Sequence, residues 1–344
     1  MAEEEVIDDV LDLIEECSER GWTDGLPVVP PTARGLERMI RGAGRDSQEV
    51  LGILPPQGGT LTVEKAALNA LMAGCKPEYM PVVLAAAEAI VDPRFNLRLH
   101  SRSTRGPAPL IVVNGPIRNE LGINSRSNVF GPGWRANATI GRAIRLLIRN
   151  VGGALPGKLD RATLGHPGKY TYCIGEDEEH SPWEPLHVER GFPREASVVT
   201  VISCEGPNQF GVPKGAAKII LDALVETLRS IMRFTSYYRG VGDVTIVFDM
   251  DQRSELVRAG YSKADVRRYI FENTWRTVND VRAIGSPLVS DGAETSDNQP
   301  VRLFTSQETI YIIAAGAGNR FGAFMPTWRS VPGVSEPVSR LVRG

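Results

Sequence analysis

The sequence predicts an α/β protein in which mixed or parallel sheets are covered by helices. Amphipathic helix patterns alternate with short apolar strands, and from residue 198 onward the order strand, helix, strand, helix, strand is typical of βαβ units. Three apolar strands, within residues 110–122, 199–211 and 309–322, each run into a turn ending in Asn-x-(aromatic, Leu)-Gly. The likeness indicates either an internal repeat of strand, Gly/Asn turn and helix, or chance similarity between ordinary turn formers.

Length and charge limit the classes of protein to consider. The chain has 344 residues, more than one small core usually holds. We divide it into a helical and proline-rich segment (1–60), a first α/β half with a long histidine-containing loop (61–195) and a second α/β half (196–344). The formal net charge of −2 argues against nucleic-acid binding, and no apolar run approaches the roughly 20 residues of a membrane span.

The N-terminus and the cysteines indicate the compartment. The first residues are acidic and lack the apolar core of a signal peptide, so we expect a cytoplasmic protein. The cysteines are scattered and form no C-x-x-C pair, which disfavours a disulfide framework or a structural zinc site. We also expect a homo-oligomer, as is common for enzymes with many shaped loops, although no interface is indicated.

The N-terminal segment has clear local signals. Residues 3–20 have the apolar spacing of an amphipathic helix. Prolines then force an extended course through residues 22–31. Thr32 is a suitable cap for a helix over residues 33–42, and a short strand pattern follows.

The strongest helical tract, residues 62–91, contains the candidate nucleophile. Thr62 can cap the tract, and Pro77 suits the first turn of a second helix after a break. Cys75 would lie at the N-terminal edge of that second helix beside Lys76, where the helix dipole and the cation both favour the thiolate. The alternative is a small buried thiol at a tight helix corner.

Two stretches offer groups that bind anions. Residues 92–107 carry a cationic cluster, which is either a carboxylate or phosphate site or a solvated surface. Residues 124–137 form a glycine-rich loop that feeds a helix over residues 136–150, and such a helix start is an anion site. The loop matches neither a Walker A motif nor a dinucleotide fingerprint. The substrate-binding candidates are His100, Arg102, Asn114, Arg135, Asn137, Arg142, Asn208 and Asn319. We assign Arg145 and Arg149 to solvent or interdomain contacts.

A long, weakly periodic segment, residues 152–195, contains most of the histidines. Loops of this length in compact folds are usually functional. The segment combines His166, His180 and His187 with the acids Glu176, Glu178 and Glu189. These residues can bind a metal, transfer protons or simply pack, and their spacing matches no standard zinc motif. We therefore choose His166 and His180 as candidates for proton transfer, and we assign no metal ligand and no cofactor.

Three stretches resemble a poorly characterised bacterial family. They are residues 22–32 (Trp-Thr-Asp-Gly-Leu-Pro-Val-Val-Pro-Pro-Thr), 69–81 (Asn-Ala-Leu-Met-Ala-Gly-Cys-Lys-Pro-Glu-Tyr-Met-Pro) and 135–142 (Arg-Ala-Asn-Ala-Thr-Ile-Gly-Arg). Members of that family accompany short proteins or domains with a selenocysteine-Gly-Ser-Cys (UGSC) motif. This chain contains no Gly-Ser-Cys. The resemblance therefore implies a companion of a small thiol- or selenol-bearing partner, and it implies no catalytic residue.

The leading hypothesis is a lyase or hydrolase that cleaves or forms a carbon–heteroatom bond in a small, polar, anionic substrate. Cys75 would be the nucleophile or general acid/base, and His166 or His180 would transfer protons. Amides of the Asn-x-x-Gly turns would stabilise an oxyanion, and arginines would hold the acid group. The alternatives are a thiol-redox component that exchanges electrons with a partner thiol or selenol, and a non-catalytic partner-binding subunit.

Overall fold

The computed structural model describes residues 2–212, 216–231, 243–283, 296–328 and 335–343. It confirms the predicted α/β class, because helices surround a central sheet with both parallel and antiparallel strand pairs. None of the helices in these ranges is long and apolar enough to cross a membrane.

The N-terminal part consists of helices and one small antiparallel hairpin. Its elements are α1 (Ala2–Glu19), α2 (Ala33–Ala43), β1 (Val50–Leu54), β2 (Gly59–Thr62), α3 (Val63–Ala73), α4 (Met80–Val91) and α5 (Leu97–Ser101). Thr32 and Thr62 cap α2 and α3 as predicted, since each hydroxyl accepts a hydrogen bond from the amide three residues further on. Gly44 and Gly74 then end these helices in the left-handed conformation.

The central sheet and its helices occupy the rest of the chain. The strands are β3 (Ala108–Asn114), β4 (Cys173–Gly175), β5 (Val198–Cys204), β6 (Asn208–Gly211), β7 (Asp243–Phe248), β8 (Trp275–Thr277), β9 (Pro300–Arg302), β10 (Ile310–Ala314), β11 (Phe321–Thr327) and β12 (Val338–Leu341). The helices are α6 (Ile117–Glu120), α7 (Arg135–Asn150), α8 (Leu186–Glu189), α9 (Ala217–Ile231), α10 (Met250–Arg258), α11 (Lys263–Asn273) and α12 (Val278–Ala283). β8 and β9 form a separate two-stranded antiparallel sheet.

The two halves of the sheet have matching patterns of strand pairing. From edge to edge the strand order is β10, β7, β11, β5, β3, β4. The parallel pair β3 and β4 with antiparallel β5 on one side matches the parallel pair β7 and β10 with antiparallel β11 on the other. The short strands obey the same rule, because β6 follows β5 and pairs with β11, whereas β12 follows β11 and pairs with β5. Each side of the sheet therefore has the same pattern of pairing.

This order differs from the arrangement suggested by the three similar turns. Those turns follow β3, β5 and β10, which hold three different positions in the sheet. Equivalent positions are instead held by β3 and β7, by β4 and β10, and by β5 and β11. The sheet also spans the expected boundary at residues 195 and 196, because β3 pairs with β5 along seven Cα partners.

The sheet curls until its two edge strands meet at their carboxyl ends. Just beyond β4, the Asp177 amide donates to the carbonyl oxygen of Ala314 at the end of β10 (2.6 Å). The Ala314 amide donates to Oε1 of Glu176 (3.2 Å), and the Gly316 amide donates to the carbonyl oxygen of Ser125 (2.9 Å). The loops that follow β3, β4 and β10 are thereby brought together.

The strands are buried on both faces, which explains their continuous apolar sequences. Ile111 and Val113 of β3 pack with α3, α4 and α7 in one core cluster, and a second cluster lies between α9, α11 and strands β7 and β10. The other faces of the strands form a third cluster, shared by both sides of the sheet: Leu110, Val112, Ile174, Ile202, Val247, Ile313 and Met325. This inner cluster fills the curl of the sheet.

Candidate functional site

A cleft of about 790 Å³ lies where β7 and β10 end. Ligands of open α/β sheets bind beyond the carboxyl ends of strands. The cleft is lined by residues 126–131, 207–209 and 315–319 and by the start of β11. Asn208 and Asn319 both line it, so two of the three Asn-x-x-Gly turns meet here.

A glycine-rich turn, residues 315–319, forms one wall of the cleft. Gly316 has φ +93°, a conformation that disfavours side chains, and a Cβ at Gly318 would lie 2.6 Å from Oδ1 of Asp251. The amides of Ala317, Gly318 and Asn319 donate no hydrogen bond to any part of the chain that the structure describes. These amides are therefore available to an anionic or carbonyl oxygen of a ligand.

Asp249 is the acidic side chain of the cleft lining, and only 2% of it is exposed. It directly follows β7 and caps α10, since Oδ1 accepts a hydrogen bond from the Gln252 amide (2.8 Å). Oδ2 accepts from the Phe321 amide (3.2 Å). Burial raises the pKa of Asp249, and the nearby charge of Asp251 adds to the effect, against the lowering by these hydrogen bonds.

A buried ion pair lies behind Asp249. Arg253 of α10 is fully buried; it donates to the carbonyl oxygen of Phe248 and to Oδ2 of Asp177, both at 2.7 Å. Oδ1 of Asp177 lies 2.8 Å from Nδ1 of His180. His180, predicted to transfer protons, is thus the outer member of a chain of polar contacts, and it does not line the cleft.

The acidic run of residues 176–179 closes the sheet. Asn114 Nδ2 donates to Glu176 Oε2 (2.7 Å) and to Glu178 Oε1 (3.0 Å). Glu179 accepts hydrogen bonds from Arg118, which lower its pKa to about 2. Asn114, predicted to bind substrate, is buried at this seam, its amide nitrogen donates to the two glutamates, and it does not line the cleft.

Histidines and acids do not converge in the described residues in the way a metal site requires. There, no group of three or more His, Cys, Asp or Glu side chains is placed to hold a metal ion. His187 is buried and its Nε2 lies 3.1 Å from the carbonyl oxygen of Arg194. Glu189 forms salt bridges with Lys263 and Arg267, both at 2.8 Å.

The surroundings of Cys75 do not favour its expected activation, and its catalytic role stays a prediction. The thiol is buried, and burial raises its pKa to about 12, against the lowering by Thr139 and Arg135. Pro77 begins a 3₁₀ turn that runs directly into α4, so a helical segment starts just after Cys75 as predicted, but the burial of the thiol outweighs any favourable effect on its pKa. Arg135 itself donates to the carbonyl oxygen of Gly74.

Two of the other predicted substrate-binding residues hold the scaffold together. Asn137 is buried; its Oδ1 accepts from the Asn124 amide (2.8 Å) and its Nδ2 donates to the carbonyl oxygens of Asn124 and Cys173, fixing the loop that continues into the cleft. Arg142 forms a bidentate pair with Asp24 (2.9 and 2.8 Å). Neither side chain lines the cleft, and their contact with substrate stays a prediction.

The remaining candidates are also outside the cleft. His100 is buried against Ser335, with its Nε2 2.8 Å from that hydroxyl, and burial lowers its pKa to about 3. Arg102 is exposed on the surface. His166 lines a different pocket; burial, with the charges of Lys169 and Arg145, lowers its pKa to about 4.

No protein-family model and no curated protein matches the chain. The resemblance to the companions of UGSC proteins therefore stays an expectation.

The cleft combines four kinds of polar group. Asp249 offers a carboxyl group with a raised pKa, the glycine-rich turn offers amide donors, and Asn208 and Asn319 offer carboxamides. Arg126 at the lining adds a positive charge. Sequence reasoning found the two asparagines through their turns but missed Asp249, whose only signal was an aspartate at the end of an apolar strand.

Proposed function

We propose that the protein is an enzyme, a lyase or hydrolase, that cleaves or forms a carbon–heteroatom bond in a small polar substrate held in the cleft at the ends of β7 and β10. The observation that carries this proposal is Asp249, a buried carboxyl group with a raised pKa at the carboxyl end of a strand and in the lining of the cleft. Carboxyl groups perturbed in this way are common in active sites and suit general acid/base catalysis.

Asp249 supplies the proton transfers of either reaction. In an elimination, the carboxylate takes a proton from the carbon beside the carbon–heteroatom bond; a double bond forms, and the heteroatom leaves with its electron pair and receives the proton from Asp249. In a hydrolysis, the carboxylate takes a proton from water, the water oxygen attacks the carbon, and Asp249 protonates the departing heteroatom. A pKa above the ordinary value makes the carboxylate a stronger base, which favours the first half of each cycle, in which it takes the proton.

The other lining groups hold the substrate. The amides of residues 317–319 and the guanidinium of Arg126 favour a carboxylate or another negatively charged oxygen. The carboxamides of Asn208 and Asn319 can donate to or accept from neutral polar groups on the substrate. The proposal therefore keeps a small, polar, anionic molecule as the substrate class.

The test uses Asp249→Asn, which keeps a carbonyl oxygen to cap α10 and removes the titratable group. Wild-type protein and the variant are incubated with a defined mixture of hydroxy, amino and phospho acids, and mass spectrometry follows the loss of each compound and the gain of products. We expect turnover by the wild type and a loss of about 10²-fold or more in the variant. Asp297→Asn, an exposed acid outside the cleft, is the matched control and should stay within a few-fold.

Two results would overturn the catalytic proposal. One is turnover by Asp249→Asn at the wild-type rate. The other is a compound that binds in the cleft and raises the melting temperature of the wild type without being converted.

A specific observation favours a partner-binding role as the second candidate. Helix α1 exposes Val10 and Leu13, although Cys17, one turn further along the same face, is buried. An apolar stripe that is covered only at one end suits a partner chain. Val10→Glu with Leu13→Glu should then abolish a complex seen by size exclusion with light scattering, and an unchanged mass would count against this role.

The thiol-redox alternative has less support. Cys17, Cys75, Cys173 and Cys204 are all buried, and burial raises the pKa of each thiol. Thiol exchange with a partner thiol or selenol needs an accessible thiolate.

A further inference from the structure

A second pocket, of about 470 Å³, shares no lining residue with the cleft. It lies between α7 and the loop of residues 154–170. Positively charged side chains dominate its polar lining: Arg145, Arg149 and Lys169, with Asp24 and Asp160 as the acids. The carboxylate of Asp24 is engaged by Arg142, and that of Asp160 accepts a hydrogen bond from Lys169 (2.6 Å). The lining thus has three cations and two acids, and each acid is already engaged by a cation.

The two arginines have hydrogen-bond donors left over. Arg145 uses its Nε to donate to the carbonyl oxygen of Lys169 (2.9 Å), and its nearest acid, Asp160, is 3.6 Å away, beyond hydrogen-bond distance. Arg149 uses one terminal nitrogen to donate to Gly21 and Asn150. The other guanidinium N–H groups have no hydrogen-bond partner among the residues that the structure describes.

The electrostatics agree with this geometry. Burial lowers the pKa of Arg145 and of Arg149, and burial together with the charge of Arg145 lowers the pKa of Lys169. The charged forms are thus less stabilised here than in water. An anion in the pocket would restore the missing stabilisation.

We propose that this pocket binds an organic anion, a carboxylate or phosphate monoester that carries an apolar group. The anionic oxygens would accept hydrogen bonds from Arg145 and Arg149 next to Lys169. The apolar group would lie against Leu164 and Tyr170, which are 96% and 47% exposed and line the same pocket. The lining thus offers apolar as well as charged side chains, and a purely inorganic ion would use only the charged ones.

The experiment is calorimetric titration of the full chain with benzoate and with phenyl phosphate, and benzyl alcohol is the neutral control. We expect at least one of the two anions to bind at up to millimolar concentration, more weakly as salt is added, and benzyl alcohol not to bind. Arg149→Gln should weaken binding about tenfold or more, since one charge-assisted hydrogen bond is lost. Binding of benzoate would indicate that the pocket recognises carboxylates, and binding of phenyl phosphate would indicate that it recognises phosphates.

The matched control is Arg38→Gln, an exposed arginine on α2 outside the pocket. It should bind like the wild type. Melting temperatures of both variants show that each folds. The proposal is overturned if neither anion binds the wild type, if Arg149→Gln binds as tightly as the wild type, or if inorganic phosphate and acetate bind as tightly as the organic anions.

Discussion

Arg253 donates a hydrogen bond to Oδ2 of Asp177 (2.7 Å), and each of the two side chains is at most 1% exposed. Asp177 follows β4 at one edge of the sheet, whereas Arg253 lies on the helix that follows β7, beside the other edge. Their contact therefore joins the two halves of the sheet where the edge strands β4 and β10 meet. The same helix begins at Asp249, so the closure also fixes one wall of the cleft.

Asp177→Asn should destabilise the protein by about 3–5 kcal/mol, because it leaves the Arg253 charge buried without its counter-charge. Urea unfolding followed by circular dichroism measures the change. The exposed pair of Glu255 and Arg258 is the control, and Glu255→Gln should change stability by about 1 kcal/mol or less. Equal losses in both variants would show that the buried pair has no special role in closing the sheet.

The buried histidine at position 100 predicts a loss of stability in acid. Burial lowers the pKa of His100 from 6.5 to about 3 in the folded state, so the unfolded chain binds this proton first as pH falls. Stability from this group is present above pH 6.5 and is lost between pH 6.5 and 3, with a slope of about 1.4 kcal/mol per pH unit. Urea midpoints across this range should fall more steeply for the wild type than for His100→Gln. Parallel curves would contradict a neutral buried His100.

Local signals in the sequence were sufficient for much of the fold. Thr32 and Thr62 are predicted as helix caps, and each hydroxyl accepts the expected backbone hydrogen bond. The apolar strand patterns were also recognised, because strands buried on both faces leave long runs of branched residues. Such features depend on neighbours a few positions apart, which a single sequence displays.

The site was harder to predict, because it depends on contacts between distant residues. Glu176 and Glu178 looked like acid/base or metal residues, yet they bind Asn114, more than sixty positions earlier in the chain. Cys75 was expected to have a lowered pKa from adjacent residues, but burial outweighs them. Asp249 gains its raised pKa only when the chain folds around it.

The burial of the cysteines predicts their reactivity. At neutral pH, all four thiols should react with iodoacetamide only as fast as the protein unfolds, since burial keeps each pKa above its ordinary value. Peptide-resolved mass spectrometry in rising urea should show Cys75 becoming labelled along the same curve as Cys173 and Cys204. Rapid labelling of Cys75 alone in the native protein would return it to the list of nucleophile candidates.

Substitutions of Gly316 in the glycine-rich turn and of Gly260 outside it should have similar effects on stability but different effects on ligand binding. Gly316→Ala places a Cβ on a backbone with φ +93°, and Gly260→Ala does the same at φ +86° beyond the end of α10. Each should destabilise the protein by about 1–2 kcal/mol, because left-handed conformations disfavour alanine. Only Gly316 lines the cleft, so only Gly316→Ala should also weaken a cleft ligand found in the substrate screen. Equal affinity in the two variants, at matched loss of melting temperature, would mean that the turn does not contact the ligand.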